Sequence, residues 1–134
     1  MKVLALDYGS ARTGVAVSDP TATLARPLGV VERAGSEAGL ARVVDLAHAE
    51  EVDRIVVGLP VTLRGERGAQ AAETERFVAA LEAAADIPVE TWDERFTTRL
   101  AAGSVAAGAR AEEDALAAAY LLTSYLEWLS ASRT

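Results

Sequence analysis

Apolar residues along the chain fall either into short runs typical of strands or into stretches at helical spacing. Runs rich in Val, Leu and Ile predict five strands, over 2–7, 13–18, 28–33, 54–59 and 88–93. Apolar positions three or four residues apart predict helices over 37–51, 69–85, 97–107 and 112–130. The first three strands are close in sequence, as antiparallel strands are, whereas helices separate the later ones. The pattern therefore predicts an α/β fold with a five-stranded mixed sheet, three antiparallel then two parallel strands, flanked by helices on both faces.

Length and composition narrow the class of protein. The chain has 134 residues without an internal repeat or a break in composition, so we expect one domain over 1–134. No apolar run reaches the roughly 18–20 residues that a membrane-spanning helix needs. The absence of cysteine excludes disulfides, thiolate zinc sites and cysteine nucleophiles. The first residues, MKVLALD, do not resemble a secretory segment, so the expected location is cytoplasmic.

The net charge bears on whether the protein binds nucleic acid. A formal charge of −7 does not favour a partner rich in phosphates, because an acidic protein repels polyanions at long range. All basic residues except Lys2 are arginines, however, and arginine suits bidentate contacts with phosphate. A cation held by clustered acids would also reverse the charge locally.

Acidic residues occur where three distant segments would meet. Asp7 ends the first predicted strand, Asp93 and Glu94 end the last, and residues 112–114 begin the final helix with three acids. Parallel strands end at one edge of a sheet, which is where open α/β folds bind ligands. Clustered carboxylates need a cation or protons to offset their repulsion, and oxygen ligands favour Mg²⁺ or Mn²⁺. Two such ions about 3.5–4 Å apart would suit the hydrolysis of phosphodiester bonds.

Each of these acids also has an ordinary structural explanation. Asp7 precedes a turn, a common place for aspartate. Acids in the first turn of a helix stabilise its dipole. The segment Asp93–Arg95 could form a surface turn with a local ion pair. Placement alone leaves the catalytic and the structural interpretations about equally supported.

Four segments of the chain resemble the YqgF/RuvX family of small bacterial proteins. These segments are LDYGSARTGVAVSD at 6–19, IVVGLP at 55–60, DERFTT at 93–98 and DALAAA at 114–119. They span essentially the whole chain in the family's order. Members are described as Holliday junction resolvases and as nucleases that mature the 5′ end of pre-16S ribosomal RNA. The resemblance implies a ribonuclease H-like fold and an enzyme that hydrolyses ester bonds.

The resemblance also implies which acids carry the chemistry. Asp7, Glu94 and Asp114 match the family's acids and would be catalytic residues that hold Mg²⁺ or Mn²⁺, in a site for two ions. Asp93 is a rival for Glu94, since successive strand residues face opposite sides of a sheet. Glu113 is a rival for Asp114, since a small rotation of the helix would exchange them.

Hydrogen-bond donors around these acids would bind the substrate. The residues implied are Gly9, Ser10, Arg12, Arg95, Thr97 and Thr98. Their hydroxyls, guanidinium groups and backbone amides suit a phosphate. We expect Arg12, Arg95, Arg99 and Arg110 to form a positive rim about the acidic centre, and Arg64 and Arg67 are either substrate contacts or solvated loop charges.

Three classes of function fit the sequence. The first is a metal-dependent endonuclease that acts on branched DNA or on precursor ribosomal RNA. The second is a catalytically silent domain that binds nucleic acid or the ribosome. The third is a nucleotide-binding ATPase module, because the segment from Asp7 to Gly14 also resembles the phosphate loop of the actin and sugar-kinase superfamily. This alternative is disfavoured, since that superfamily encloses ATP between two such domains and 134 residues supply one. Tyr125, Trp128 and Leu129 fit either a homodimer contact or a partly buried helix end.

Overall fold

The computed structural model describes residues 1–61, 68–97 and 113–132, which form one mixed sheet and its helices. The strands are β1 Val3–Asp7, β2 Arg12–Ser18, β3 Ala25–Glu32, β4 Arg54–Leu59 and β5 Val89–Asp93. The helices are α1 Glu37–Ala49, α2 Ala69–Ala84 and α3 Glu113–Ala131, with a short 3₁₀ turn at Glu94–Phe96.

The sheet has the strand order β3-β2-β1-β4-β5. Strand β2 is antiparallel to both β1 and β3, whereas β4 is parallel to β1 and β5 is parallel to β4. The predicted α/β fold with its five-stranded mixed sheet is therefore confirmed. Because β1, β4 and β5 run in the same direction, their last residues lie at one edge of the sheet. Asp7, Leu59 and Asp93 occupy that edge.

Helices cover both faces of the sheet. Leu4 and Leu6 of β1 pack into the core beneath α1 and α2, whereas Val3 and Ala5 pack beneath α3. This alternation follows from the two-residue repeat of a strand. Helix α3 meets the sheet through alanines, such as Ala118, whose small side chains let its backbone approach closely. The first residues of α3 thereby reach the sheet near Asp7.

The structure differs from the predicted elements in β3. This strand begins at Ala25 rather than at residue 28 and includes Pro27, which precedes the predicted strand. Strand β3 lies at the edge of the sheet, where the missing N–H of proline is tolerated. The strand pairing also shifts between Val15 and Ala16, opposite this proline. Most of the helix predicted over 97–107 lies outside the described residues. In the described ranges no helix has the length and apolarity to cross a membrane.

Candidate active site at the carboxyl edge of the sheet

The side chains of Asp7 and Glu94 meet at the carboxyl edge of the sheet. Strand β4 lies between β1, which ends at Asp7, and β5, after which Glu94 follows, so Glu94 must reach across β4. Gly58 of β4 makes this reach feasible, because a Cβ atom there would lie 2.6 Å from Oε1 of Glu94. The Glu94 carboxyl is hydrogen-bonded to the carboxyl of Asp7. Burial and the neighbouring negative charge of Asp7 raise the pKa of Glu94 to about 8.

A small cavity opens above this pair of carboxyl groups. Its volume is about 250 Å³. It is lined by Asp7, Glu94, Thr97, Ala117, Tyr120 and Leu121. The two carboxyl groups are thus accessible from outside, with α3 forming one wall of the cavity.

The neighbouring acid Asp93 is engaged elsewhere. Its carboxylate accepts hydrogen bonds from the backbone N–H of Arg95 (2.9 Å) and from Nε and Nη2 of the same guanidinium (3.0 and 2.6 Å). These contacts lower the pKa of Asp93 below its ordinary value. Of the two alternative metal ligands, Glu94 faces Asp7. Asp93 instead forms a local ion pair with Arg95, as the structural interpretation of this segment predicts.

The third predicted acid, Asp114, lies in the first turn of α3. Its backbone carbonyl packs against Gly14, so closely that a Cβ atom at Gly14 would overlap it. Gly14 is the cross-strand partner of Asp7, so Asp114 lies at the same edge of the sheet. Its carboxylate, however, forms an ion pair with Nη2 of Arg12 at 3.1 Å. Its rival Glu113 is exposed.

The arrangement brings two of the three predicted metal ligands together and holds the third beside them. In residues 1–61, 68–97 and 113–132 there is no group of three or more His, Cys, Asp or Glu placed to hold a metal ion. The donor set nevertheless fits a hard cation, because Asp7 and Glu94 supply only oxygen atoms and their carboxyl groups lie within hydrogen-bond distance of each other. Asp114 would join this pair only after leaving Arg12.

The turn between β1 and β2 holds the predicted phosphate donors Gly9 and Ser10. The backbone N–H of Gly9 donates to Oγ1 of Thr13 at 3.4 Å. The Ser10 hydroxyl donates to Oε2 of Glu73 at 2.8 Å, and the Tyr8 hydroxyl donates to the same oxygen at 2.7 Å. Glu73 of α2 therefore fixes this turn beside Asp7.

Sequence reasoning missed Glu73. A signal was present, because Glu73 precedes Phe77 by one helical turn, and Phe77 is an apolar position of the helix predicted over 69–85. The Phe77 ring stacks on Tyr8 with 4.6 Å between centroids, which brings Glu73 to the turn as well. The signal is that Glu73, an acid, shares the face of the helix that carries apolar residues.

The remaining predicted substrate contacts are only partly described. Thr97 lines the cavity, and its Oγ1 accepts a hydrogen bond from Nε1 of Trp92 at 3.2 Å. Arg12 forms an ion pair with Asp114, and Arg95 forms one with Asp93. The other predicted residues lie outside the described ranges: Thr98, Arg99, Arg110, Arg64 and Arg67.

An aromatic groove lies beside the site, between β5 and α3. Tyr125 is buried, whereas Phe96 and Trp128 are 63% and 50% exposed. The groove has a volume of about 730 Å³, and Trp92 forms part of its wall. Tyr125 thus has a core position, and Trp128 keeps the exposed face that the homodimer prediction requires.

Comparison with known proteins identifies the family. The model of the family described as "RuvX: Holliday junction resolvase" matches residues 1–128. A relative from Chloroflexus aurantiacus is 42% identical over 131 residues, covering 93% of this chain and 86% of the relative. One from Rubrobacter xylanophilus is 45% identical over 131 residues, covering 94% and 92%. Both carry assigned names as pre-16S rRNA nucleases.

Solved structures support the same fold. The chain is similar to Thermus thermophilus RuvC in complex with a Holliday junction substrate, with a TM-score of 0.65 and 20% identity over 97% of each chain. It is also similar to the fowlpox virus Holliday junction resolvase, with a TM-score of 0.55 and 12% identity over 96% of this chain and 99% of the other. At such identities the likeness concerns the fold. Taken with the match over residues 1–128, it leads to one conclusion: this chain belongs to the RuvX family of Holliday junction resolvases.

Proposed function

We propose that this protein is a metal-dependent endonuclease, a hydrolase that cleaves phosphodiester bonds in branched DNA or at the 5′ end of pre-16S ribosomal RNA. The observation that carries the proposal is the Asp7–Glu94 pair, which faces an open cavity at the carboxyl edge of the sheet. Membership of a family of nucleases supplies the reaction class. Both substrates occur in the bacterial cytoplasm, which is the location that we propose.

In this proposal the acids have distinct roles. Asp7 and Glu94 hold the cation, and Asp114 completes the ligand set. When bound, Mg²⁺ or Mn²⁺, in one or two sites, would supply an activated water and a positive charge opposite the leaving oxygen. Glu94 would hold the cation as a carboxylate, so it would have to lose its proton, because a carboxyl group binds metal in its ionised form.

The proposed substrate contacts surround these acids. In this proposal the guanidinium groups of Arg12 and Arg95 bind phosphates that flank the scissile bond, and the hydroxyls of Thr97 and Thr98 are further donors to phosphate. The backbone amides of Gly9 and Ser10 lie on the turn that Glu73 fixes. These contacts read the backbone of a nucleic acid rather than its sequence.

The assembly is part of the proposal. We propose that residues 1–134 form one domain, since the family model matches residues 1–128. Symmetric cleavage of a junction requires two sites in one assembly, so a homodimer remains a prediction for the junction substrate. Sedimentation of the wild type against Trp128→Ala tests it, and a monomer in both samples would favour the RNA substrate.

A catalytically silent binding domain is the second candidate. The observations that favour it are the net charge of −7 and the separation of the Asp114 carboxylate from the other two acids by its ion pair with Arg12. Such a domain would bind nucleic acid with or without metal and would not cleave it.

The two candidates differ in a cleavage assay. Purified protein is offered a four-way DNA junction and a pre-16S rRNA 5′ end in parallel, with Mn²⁺, Mg²⁺ or EDTA. We expect cleavage of one of the two substrates with metal, and a loss of about 100-fold or more in Asp7→Asn, because the amide no longer offsets the charge of the cation. Cleavage that persists in EDTA would contradict the proposed site, and no cleavage of either substrate would favour the silent domain.

A further inference from the structure

The ion pair between Arg12 and Asp114 links two groups that the proposed function uses separately. Arg12 begins β2, and Asp114 lies in the first turn of α3. Their side chains are 59% and 32% exposed, and Nη2 of Arg12 lies 3.1 Å from Oδ2 of Asp114. Neither residue is near the other in sequence, so the packing of α3 on β2 creates this contact.

The backbone of Asp114 is held in place independently of this ion pair. Its carbonyl packs against Gly14 two residues along β2 from Arg12, and Gly14 pairs with Asp7. With its backbone held there, Asp114 would change partners by rotation of its side chain rather than by a shift of α3. An ion pair as exposed as this one is weak, so a competing charge can separate it.

The ion pair prevents Asp114 from acting as a metal ligand and Arg12 from acting as a phosphate contact at the same time. While Asp114 is bound to Arg12, its carboxylate is withheld from Asp7 and Glu94. While Arg12 is bound to Asp114, its positive charge is neutralised and attracts phosphate less strongly. A phosphate group bound to Arg12 would free Asp114 to bind a cation. A cation bound to Asp114 would likewise free Arg12 to bind a phosphate group.

Resting on the proposed function, we propose that Arg12 is a positioning residue that withholds Asp114 from the metal site until a nucleic acid phosphate takes its place. The cation and the nucleic acid then bind cooperatively, because each releases the group that the other needs. Such coupling is reciprocal by thermodynamic linkage. The third ligand therefore becomes available when substrate is present.

The test measures Mn²⁺ affinity by calorimetry on the full chain without nucleic acid. Arg12→Gln is compared with Arg26→Gln, a matched control, because Arg26 lies on β3, is 53% exposed and forms an ion pair with Glu50 at 3.7 Å. We expect Arg12→Gln to bind Mn²⁺ about three- to fivefold more tightly, the factor that an exposed ion pair contributes. Arg26→Gln should change the affinity by less than about twofold.

A double-mutant cycle separates the release of Asp114 from the simple loss of a positive charge. In an Asp114→Asn background, Arg12→Gln should raise the Mn²⁺ affinity no more than Arg26→Gln does. Arg12→Gln alone should also weaken binding of a four-way junction in EDTA, so that its effects on metal and on nucleic acid have opposite signs. A purely structural residue would not produce this combination.

Two results would overturn the inference. One is an Arg12→Gln protein whose Mn²⁺ affinity equals or falls below that of Arg26→Gln. The other is an increase of the same size in the Asp114→Asn background. If Asp7→Asn abolishes Mn²⁺ binding in the same series, only the role of Arg12 fails. If Mn²⁺ binding does not depend on Asp7, the proposed function fails with it.

Discussion

At the scale of single residues, the candidate site depends on one carboxyl group reaching past a strand. Glu94 lies after β5, and the absence of a side chain at Gly58 gives it a path to Asp7 across β4. Burial and the charge of Asp7 then raise the pKa of Glu94, so the pair holds a proton where isolated carboxylates would not. Two measurable consequences follow, one for stability and one for activity.

The first consequence is a stability that falls as pH rises in EDTA. The folded protein keeps the Glu94 proton up to a pKa of about 8, whereas the unfolded chain loses it near the ordinary value of 4.5. The contribution to stability is thus complete below pH 4.5 and is lost as pH rises toward 8. Chemical denaturation across this range should show a smaller fall for Asp7→Asn and a still smaller fall for Glu94→Gln. Three superimposable profiles would contradict the shared proton.

The second consequence concerns Gly58. A methyl group there would meet Oε1 of Glu94 and the side chain of Leu121, so Gly58→Ala should displace Glu94. We expect cleavage to fall by about tenfold or more and stability by about 1–3 kcal/mol. Gly29→Ala is the matched control, because no atom of the described residues lies within 4 Å of a Cβ atom there, apart from its chain neighbours. Its unfolding free energy should stay within about 0.5 kcal/mol of the wild type. Equal activity in both variants would remove Gly58 from the account.

At the scale of elements, α3 is the helix that must be placed correctly, since it carries Asp114 and walls the cavity. Its alanine face packs closely on the sheet, and a polar network fixes its middle. The Tyr125 hydroxyl donates to Glu90 of β5 and accepts a hydrogen bond from Nη1 of Arg54 on β4 at 2.7 Å. Two charged side chains on two strands thereby converge on one buried hydroxyl.

Removing that hydroxyl should loosen the helix. Tyr125→Phe leaves Arg54 and Glu90 without their shared partner, and we expect a loss of about 1–3 kcal/mol in the free energy of unfolding. Urea denaturation measures this loss. Ser132→Ala is the control, since its hydroxyl donates to the Trp128 carbonyl at the exposed end of α3. If Tyr125→Phe were as stable as Ser132→Ala, the network would have no role in docking α3.

The sequence predicted the elements better than the contacts among their side chains. Apolar alternation and helical spacing are local properties, so the strands and most helices could be predicted from them. The choice between Asp93 and Glu94 could not, because the chain leaves the strand for a 3₁₀ turn at Glu94, where alternation of faces no longer applies. The contacts of Glu73 and Arg12 join residues distant in sequence and depend on how helices dock.

At the scale of the whole molecule, an acidic protein is proposed to bind a polyanion. The net charge of −7 opposes long-range attraction, so binding has to be local and sensitive to salt. Arg95 should contribute one such contact, although its guanidinium also binds Asp93. Arg95→Gln is expected to make the log–log salt slope of binding to duplex DNA shallower by about 0.9. An unchanged slope would assign Arg95 to the ion pair alone.

The central claim is that Asp7 and Glu94 form the catalytic metal site. The most direct measurement is the single-turnover rate of Mn²⁺-dependent cleavage by Glu94→Gln, compared with that of Asp93→Asn. Each variant replaces a carboxyl group by an amide, and the two residues are adjacent in sequence. Of the two, Glu94 faces Asp7, whereas Asp93 binds Arg95. The account predicts a loss of about 100-fold or more for Glu94→Gln and a loss of less than about fivefold for Asp93→Asn. Equal losses, or a larger loss in Asp93→Asn, would contradict it.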